Sequence, residues 1–170
     1  MFIAALLSSL LLIVLPATAD AGPLYGSRAG VWRADRVLVV KSERRLYLLR
    51  DNAVIGSYRV QLGASPLGHK VFEGDGRTPE GLYVLDRKNS NSRFYRSIHI
   101  SYPNTYDIAE ARKYGSRAGG SVMIHGQPSG GSGHDSRPWD WTEGCIAVSN
   151  AAMDEIWNAT DEGTPIEILP

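Results

Sequence analysis

The 170-residue chain has a single cysteine, Cys145, so no disulfide can form within it. It also lacks a net charge: Lys plus Arg number 18 and Asp plus Glu number 18. That balance removes the electrostatic basis for nonspecific attraction to nucleic acid or anionic lipid. It lacks a long apolar run too. Phe2 to Pro16 is uncharged and mostly Leu, Ile, Ala and Val, but is too short for a confident membrane span. The run ends in Pro16-Ala17-Thr18-Ala19, a small-x-small pattern suited to signal peptidase. The expected organisation is a signal segment over 1–19, a short lead over 20–35 and one domain over 36–170. An uncleaved N-terminal anchor is the alternative, and only in that case is the inner membrane a partner. Both readings place the remainder outside the cytoplasm.

Exported domains tend to pair their cysteines. A leftover cysteine there suggests a reactive thiol or an intermolecular bridge. A buried inert cysteine would sit in an apolar run, whereas Cys145 follows Trp141-Thr142-Glu143-Gly144.

What is present is mostly strand-like. Arg36–Lys41, Arg44–Leu49, Ala53–Leu62, Leu82–Leu85, Tyr95–Ser101, Val122–Ile124, Cys145–Val148 and Thr164–Ile168 carry β-branched or alternating patterns. Asp51-Asn52 reads as a hairpin turn, and Gly74–Gly81 as eight residues of turn chemistry. Thr105–Tyr114, closed by Gly115, reads as a short helix. A second helix is expected through Trp157, capped by Asn150, with Asp154 and Glu155 near its positive end. The fold class is therefore mostly β with short helices (α+β), in one sandwich-like domain without internal repeats.

Val122-Met123-Ile124 delivers His125 at a strand end, and a long loop from Gln127 to Glu143 leads back to Cys145. Long loops without their own structure are usually functional. An imidazole can take a thiol proton and return it to a leaving amine. Gly144 lets substrate approach the backbone and frees N–H groups for a developing oxyanion. The group orienting the imidazole is either the Gly126 carbonyl or the Asp140 carboxylate. A metal site from His125, His134, Asp135 and Cys145 is set aside because no tight ligand spacing occurs. No cofactor is expected. Gly130–Gly133 lacks the following Lys-Ser/Thr of a phosphate loop. His99 shares a strand face with Ser97 and Ser101 and is a cleft candidate. Tyr102, Trp141, Thr142 and Arg117 are further candidates for substrate contact, Arg117 through a carboxylate; turn formation at Tyr102, loop anchoring by Trp141 and a solvated Arg117 are the alternatives.

Four motifs occur in order: Gly-Asp-Gly-Arg-Thr-Pro-Glu-Gly (74–81); Ser92-Arg93-Phe94-Tyr95 leading to His99-Ile100-Ser101-Tyr102-Pro103-Asn104; Ile124-His125-Gly126; and Trp141-Thr142-Glu143-Gly144-Cys145-Ile146. The series resembles the L,D-transpeptidase family with the YkuD-type catalytic domain, over roughly residues 36–169. The Asp-Trp-Thr-x-Gly-Cys-Ile-Ala-Val run is similar to its YafK-type branch. The resemblance implies an exported, β-rich cell-wall enzyme. Its cysteine would attack the amide after diaminopimelate in a peptidoglycan stem tetrapeptide, release D-alanine and pass the acyl group to an amine. Cys145 maps to the nucleophile, His125 to the base and Gly126 to the carbonyl that orients it.

Two positions depart from the family pattern. Glu143 stands where His or Arg is usual, and Ala147 where Arg or Asn is usual. A carboxylate close to the thiol disfavours the thiolate, and alanine cannot clamp a carboxylate as arginine does. The YafK-type likeness implies release of a wall-linked lipoprotein as one alternative to cross-linking. An L,D-carboxypeptidase is another, and a non-catalytic wall-binding module a third.

Overall fold

The computed structural model describes residues 32–128 and 140–170. All belong to one compact unit, Val31–Pro170. Its elements are β1 (Arg36–Val40), β2 (Arg45–Arg50), β3 (Ala53–Arg59), β4 (Gly81–Ser92), β5 (Tyr95–Ile100), α1 (Thr105–Lys113), β6 (Met123–His125), β7 (Ile146–Ala147), α2 (Asn150–Ala159) and β8 (Thr164–Leu169). The strands form one sheet in the order β3-β2-β1-β8-β4-β5-β6-β7. The mostly-β expectation holds, and the layering comes from this one sheet curling over itself. Evidence for the curl lies at its edges: β3 is one edge and β7 the other, yet Gln61, just past β3, bridges Ala147 of β7.

Local chemistry explains the elements. Asp51 and Asn52 both hold positive φ, 50° and 63°, as a tight hairpin turn demands. The β2–β3 pairing follows directly from that turn. Asn104 caps α1 by accepting from the Asp107 N–H, while the Asp107 side chain accepts from the Asn104 N–H. Gly115, at φ 64°, follows the end of this helix.

Alternation sorts the strands into two faces. Val37 and Val39, Leu46 and Leu48, Ile98 and Ile100, Ile124, Ile146, Ile166 and Ile168 point inward and are essentially inaccessible. Met153 and Ile156 of α2 join the same core. Each such side chain contributes roughly 1.5–3 kcal/mol of apolar burial.

The structure corrects three expectations. β4 runs to Ser92, well beyond Leu85. Its second half, Asp86–Ser92, is polar and largely exposed and carries no alternating signal, but it is held in the sheet by β5. β3 stops at Arg59, because Val60–Gly63 leaves β2 to reach Ala147 and Thr142 at the opposite edge. The cap of α2 is Ser149, whose side chain accepts from the Ala152 N–H, and Asn150 is the first helical residue. Asp154 and Glu155 therefore fall outside the first turn. Asp154 accepts from the Tyr95 hydroxyl and pairs with Arg96, and Glu155 accepts from the Tyr58 hydroxyl.

Candidate active site

β6 and β7 run parallel, with Ile124 opposite Ile146 and His125 opposite Ala147. Both isoleucines point into the core. His125 ends β6 on the outer face, and Cys145, expected to open a strand, instead immediately precedes β7, where alternation carried one residue back from Ile146 turns it to the same outer face. Strand pairing thus sets His125, at the end of β6, and Cys145, just before β7, on neighbouring segments of the sheet although they are twenty apart in sequence.

A short turn delivers the cysteine. Thr142 Oγ1 accepts from the Gly144 N–H (3.1 Å) and donates to the Cys145 carbonyl (2.7 Å). Gly144 sits at φ +130°, and a Cβ there would lie 2.6 Å from the Arg77 carbonyl oxygen. Only glycine fits, and this contact joins the 74–81 turn to the cysteine turn. The Cys145 thiol is partly buried, and Sγ donates to the Ser121 carbonyl at 3.5 Å. Ser121 aims that carbonyl from a left-handed backbone, φ 56°, which is uncommon for a non-glycine residue. Burial pushes the thiol pKa up. The Met123 backbone N–H and the Lys70 ammonium pull it down and Glu143 pushes it up, with a net rise.

His125 is 3% exposed. Its Nδ1 lies 2.7 Å from the Gly126 carbonyl oxygen. A carbonyl only accepts, so Nδ1 carries the proton and Nε2 keeps its lone pair. Asp140 is engaged elsewhere: its carboxylate accepts from Arg44 and from the Leu62 N–H. Phe94 stacks on the imidazole at 4.6 Å and Trp141 meets it edge-on at 5.8 Å. Trp141 is itself held by its indole N–H to Gln61 Oε1 (2.9 Å). Burial lowers the His125 pKa, and the Gly126 bond offsets this only in part. The imidazole is therefore neutral near pH 7. Gly126 has no room for a side chain, since a Cβ would lie 2.6 Å from Asn150 Oδ1 and 3.0 Å from Tyr95 Cβ.

Cys145 opens into a cavity of about 470 Å³ walled by Lys70, Glu73, Arg117, Glu143 and Gly144. Two cations and two carboxylates around a thiol suit a substrate bearing both charges. Arg117 is exposed, and its backbone carbonyl accepts from the Glu73 N–H at 2.8 Å. Ala147 lines a different cavity of about 570 Å³, beside Arg44, Arg45, Arg59 and Gln127.

The other candidates lie apart from the cysteine cavity. His99 shares the outer face, opposite Met123, with Nδ1 2.6 Å from Asp86 Oδ1. Tyr102 is 2% exposed, and its hydroxyl donates to the Ala118 carbonyl at 3.0 Å, tethering the loop that carries Arg117. His134, Asp135 and the Gly130–Gly133 stretch lie outside the described residues. Among the described residues, no three His, Cys, Asp or Glu side chains cluster as a metal site.

Lys70 is no candidate from the sequence, and Asp75 enters there only as part of the 74–81 turn. Asp75 Oδ1 accepts from Lys70 Nζ (2.8 Å) and the Arg77 N–H (3.0 Å), and Oδ2 from the Val71 and Phe72 N–H groups. Burial alone would raise its pKa, but these bonds outweigh it and hold the carboxyl below the usual range. The available signal was a carboxylate between two glycines, a common turn pattern that does not reveal a buried ion pair.

A family model for the L,D-transpeptidase catalytic domain, YkuD, matches residues 34–168. The chain belongs to that family. It is 31% identical over 127 residues to YafK of Escherichia coli (strain K12), a match spanning 71% of this chain and 45% of that protein. Among solved structures, the helical cell shape determining protein Pgp2 of Campylobacter jejuni superposes with a TM-score of 0.60 at 28% identity. That match covers 78% of this chain and 46% of Pgp2. An L,D-transpeptidase of Xylanimonas cellulosilytica, at TM-score 0.52 and 17% identity over 81% of this chain and 61% of that one, shares the fold. The chain spans about half the length of the curated relatives it matches. No helix among the described residues is long and apolar enough to cross a membrane.

Proposed function

We propose that this chain is an exported cysteine acyltransferase acting on peptidoglycan stem peptides, with Cys145 as nucleophile and His125 as general base. The observation that carries this reading is the Nδ1 bond to the Gly126 carbonyl, which leaves Nε2 as the acceptor on the face that also bears Cys145. With the thiol pKa raised and the imidazole pKa lowered, the resting pair is neutral. The thiol gives its proton to Nε2 as sulfur attacks the amide carbon after diaminopimelate. The carbon–nitrogen bond then breaks, and the imidazolium returns the proton to the leaving D-alanine amine. The thioester passes its acyl group to an amine or to water. The incoming proton goes to Nε2 and then to the departing sulfur.

Arg117 is the proposed carboxylate contact, at the wall of the cysteine cavity. Trp141 and Phe94 hold the imidazole plane, and Thr142 shapes the turn. His99 and Tyr102 support the neighbouring face and loop. A second reading, hydrolysis or release of a wall-linked lipoprotein by the same acyl-enzyme, is favoured by Ala147, which offers no carboxylate clamp after the cysteine.

Mass analysis of products from tetrapeptide muropeptide, with and without millimolar glycine or a D-amino acid, tests both readings. Acyl transfer yields exchanged tetrapeptide, and hydrolysis yields tripeptide. Water is expected to compete well, because a lost bidentate contact costs about 1.5–3 kcal/mol, roughly tenfold or more in acceptor affinity. Nearly complete exchange with little tripeptide would remove the hydrolytic reading, and no product at all would remove the proposal.

A further inference from the structure

Two lysines are buried in this molecule, and they are used differently. Lys41 is 2% exposed and spends all three ammonium protons on protein acceptors: the Gly68 carbonyl (2.6 Å), the Thr78 carbonyl (3.1 Å) and Glu80 Oε1 (2.8 Å). Lys70 is 3% exposed and donates to only two, Asp75 Oδ1 (2.8 Å) and the Phe72 carbonyl (3.2 Å). Among the described residues its third proton has no protein acceptor. The same side chain forms part of the wall of the Cys145 cavity. Its Nζ lies 3.6 Å from where a Cβ on Gly144 would stand, beside the residue that precedes the nucleophile. The turn is rigid there, because the four bonds to Asp75 fix residues 70–77 and the Arg77 carbonyl packs on Gly144.

We propose that Lys70, locked in place by Asp75, is a positioning residue for Cys145, holding positive charge beside the sulfur as the thiolate forms. This rests on the reading of Cys145 as nucleophile. The charged and titratable groups around the thiol are Lys70, Glu73, Arg117 and Glu143 in the cavity wall and His125 on the adjacent strand. Glu143 and burial both oppose the thiolate, and Lys70 opposes them. Asp75 neutralises Lys70 at long range, but Lys70 stands in the wall of the cysteine cavity and acts on the thiol, whereas Asp75 is not part of that wall. The arrangement offers a physical account of how a carboxylate is tolerated at position 143.

Cys145 is the only cysteine, so iodoacetamide alkylation as a function of pH reads it alone. The test compares the wild-type chain with K70M, K70R, K41M and the paired K70M/D75N, in which no buried carboxylate is left unpartnered. K70M is expected to slow alkylation at pH 7 roughly three- to tenfold and to move its rise to higher pH. K70R is expected to keep the wild-type profile, and K41M to lose thermal stability without changing the profile. A folded K70M, or a folded K70M/D75N where K70M does not fold, with the wild-type profile overturns the proposal. Loss of folding in both lysine-free variants while K70R folds also overturns it, leaving Lys70 a structural role only. Alkylation needs no substrate, so this outcome is separable from failure of the acyl-transfer reading, which turnover by Cys145→Ala decides.

Discussion

β6 and β7, with the residue just before β7, carry two pairs of residues on opposite faces. Ile124 and Ile146 meet inside the core, while His125 and Cys145 turn to the outer face. His125 and Ile124 are almost equally buried, so burial alone does not separate structure from chemistry. The polar groups around each pair do. The inner pair is satisfied by contact area alone. The outer pair needs a carbonyl from Gly126, a carbonyl from Ser121, an N–H from Met123 and a cation from Lys70. The inner face should therefore answer in stability and the outer face in reactivity.

The largest contrast is between Cys145→Ala and Ile146→Ala, adjacent in sequence. The first should abolish muropeptide turnover, by about 10³-fold or more, with the melting temperature nearly unchanged. The second should cost about 2–5 kcal/mol in chemical denaturation. Its folded fraction should keep the wild-type alkylation profile. Substantial turnover by Cys145→Ala would erase the distinction.

His125→Ala should lower turnover about 10²–10⁴-fold, the range ascribed to general-base catalysis. Turnover should also fall on the acid side only below the ordinary histidine value of 6.5, because burial holds the folded pKa down. An acid limb at or above 6.5 would remove His125 as the base.

Arg117→Ala should raise KM roughly tenfold for a carboxylate-bearing stem peptide while leaving kcat close to wild type, as loss of one charge-assisted contact implies. A fall in kcat with KM unchanged would move Arg117 from binding to chemistry.

The smallest effect is on stability. The folded pKa of His125 lies below its unfolded value, so the unfolded chain binds the extra proton first. Stability should be full above about pH 6.5 and decline as pH falls. For Cys145 the folded pKa is raised, so stability should decline as pH rises past the ordinary thiol value. Denaturation midpoints across pH, with His125→Ala and Cys145→Ala as references, read each contribution separately.

Much of this was legible in the sequence. Alternation in Arg36–Val40 and Arg45–Arg50, the Asp51-Asn52 turn and the lone cysteine after a glycine located the hairpin and the thiol. The pairing of β1 with β8, strands at opposite ends of the chain, was not legible, because register between distant strands leaves no local pattern. Nor, apart from what the resemblance implies, was the choice between Gly126 and Asp140 at the imidazole. Both lie near His125 or Cys145 in sequence, and only the Arg44 and Leu62 contacts remove Asp140. Lys70 was invisible for a related reason: nothing in a lysine five residues before an aspartate says that it is buried in the wall of the cysteine cavity with two protein acceptors for its three protons.

The central claim is that Cys145 carries the acyl group. Intact-protein mass spectrometry after rapid acid quench of the chain mixed with tetrapeptide muropeptide tests it directly. The account predicts a transient mass increase equal to the acyl tripeptide muropeptide, mapped by proteolysis to Cys145 and missing in Cys145→Ala. Product formation by the wild-type chain with no adduct at any quench time, matched by equal turnover in Cys145→Ala, would contradict it.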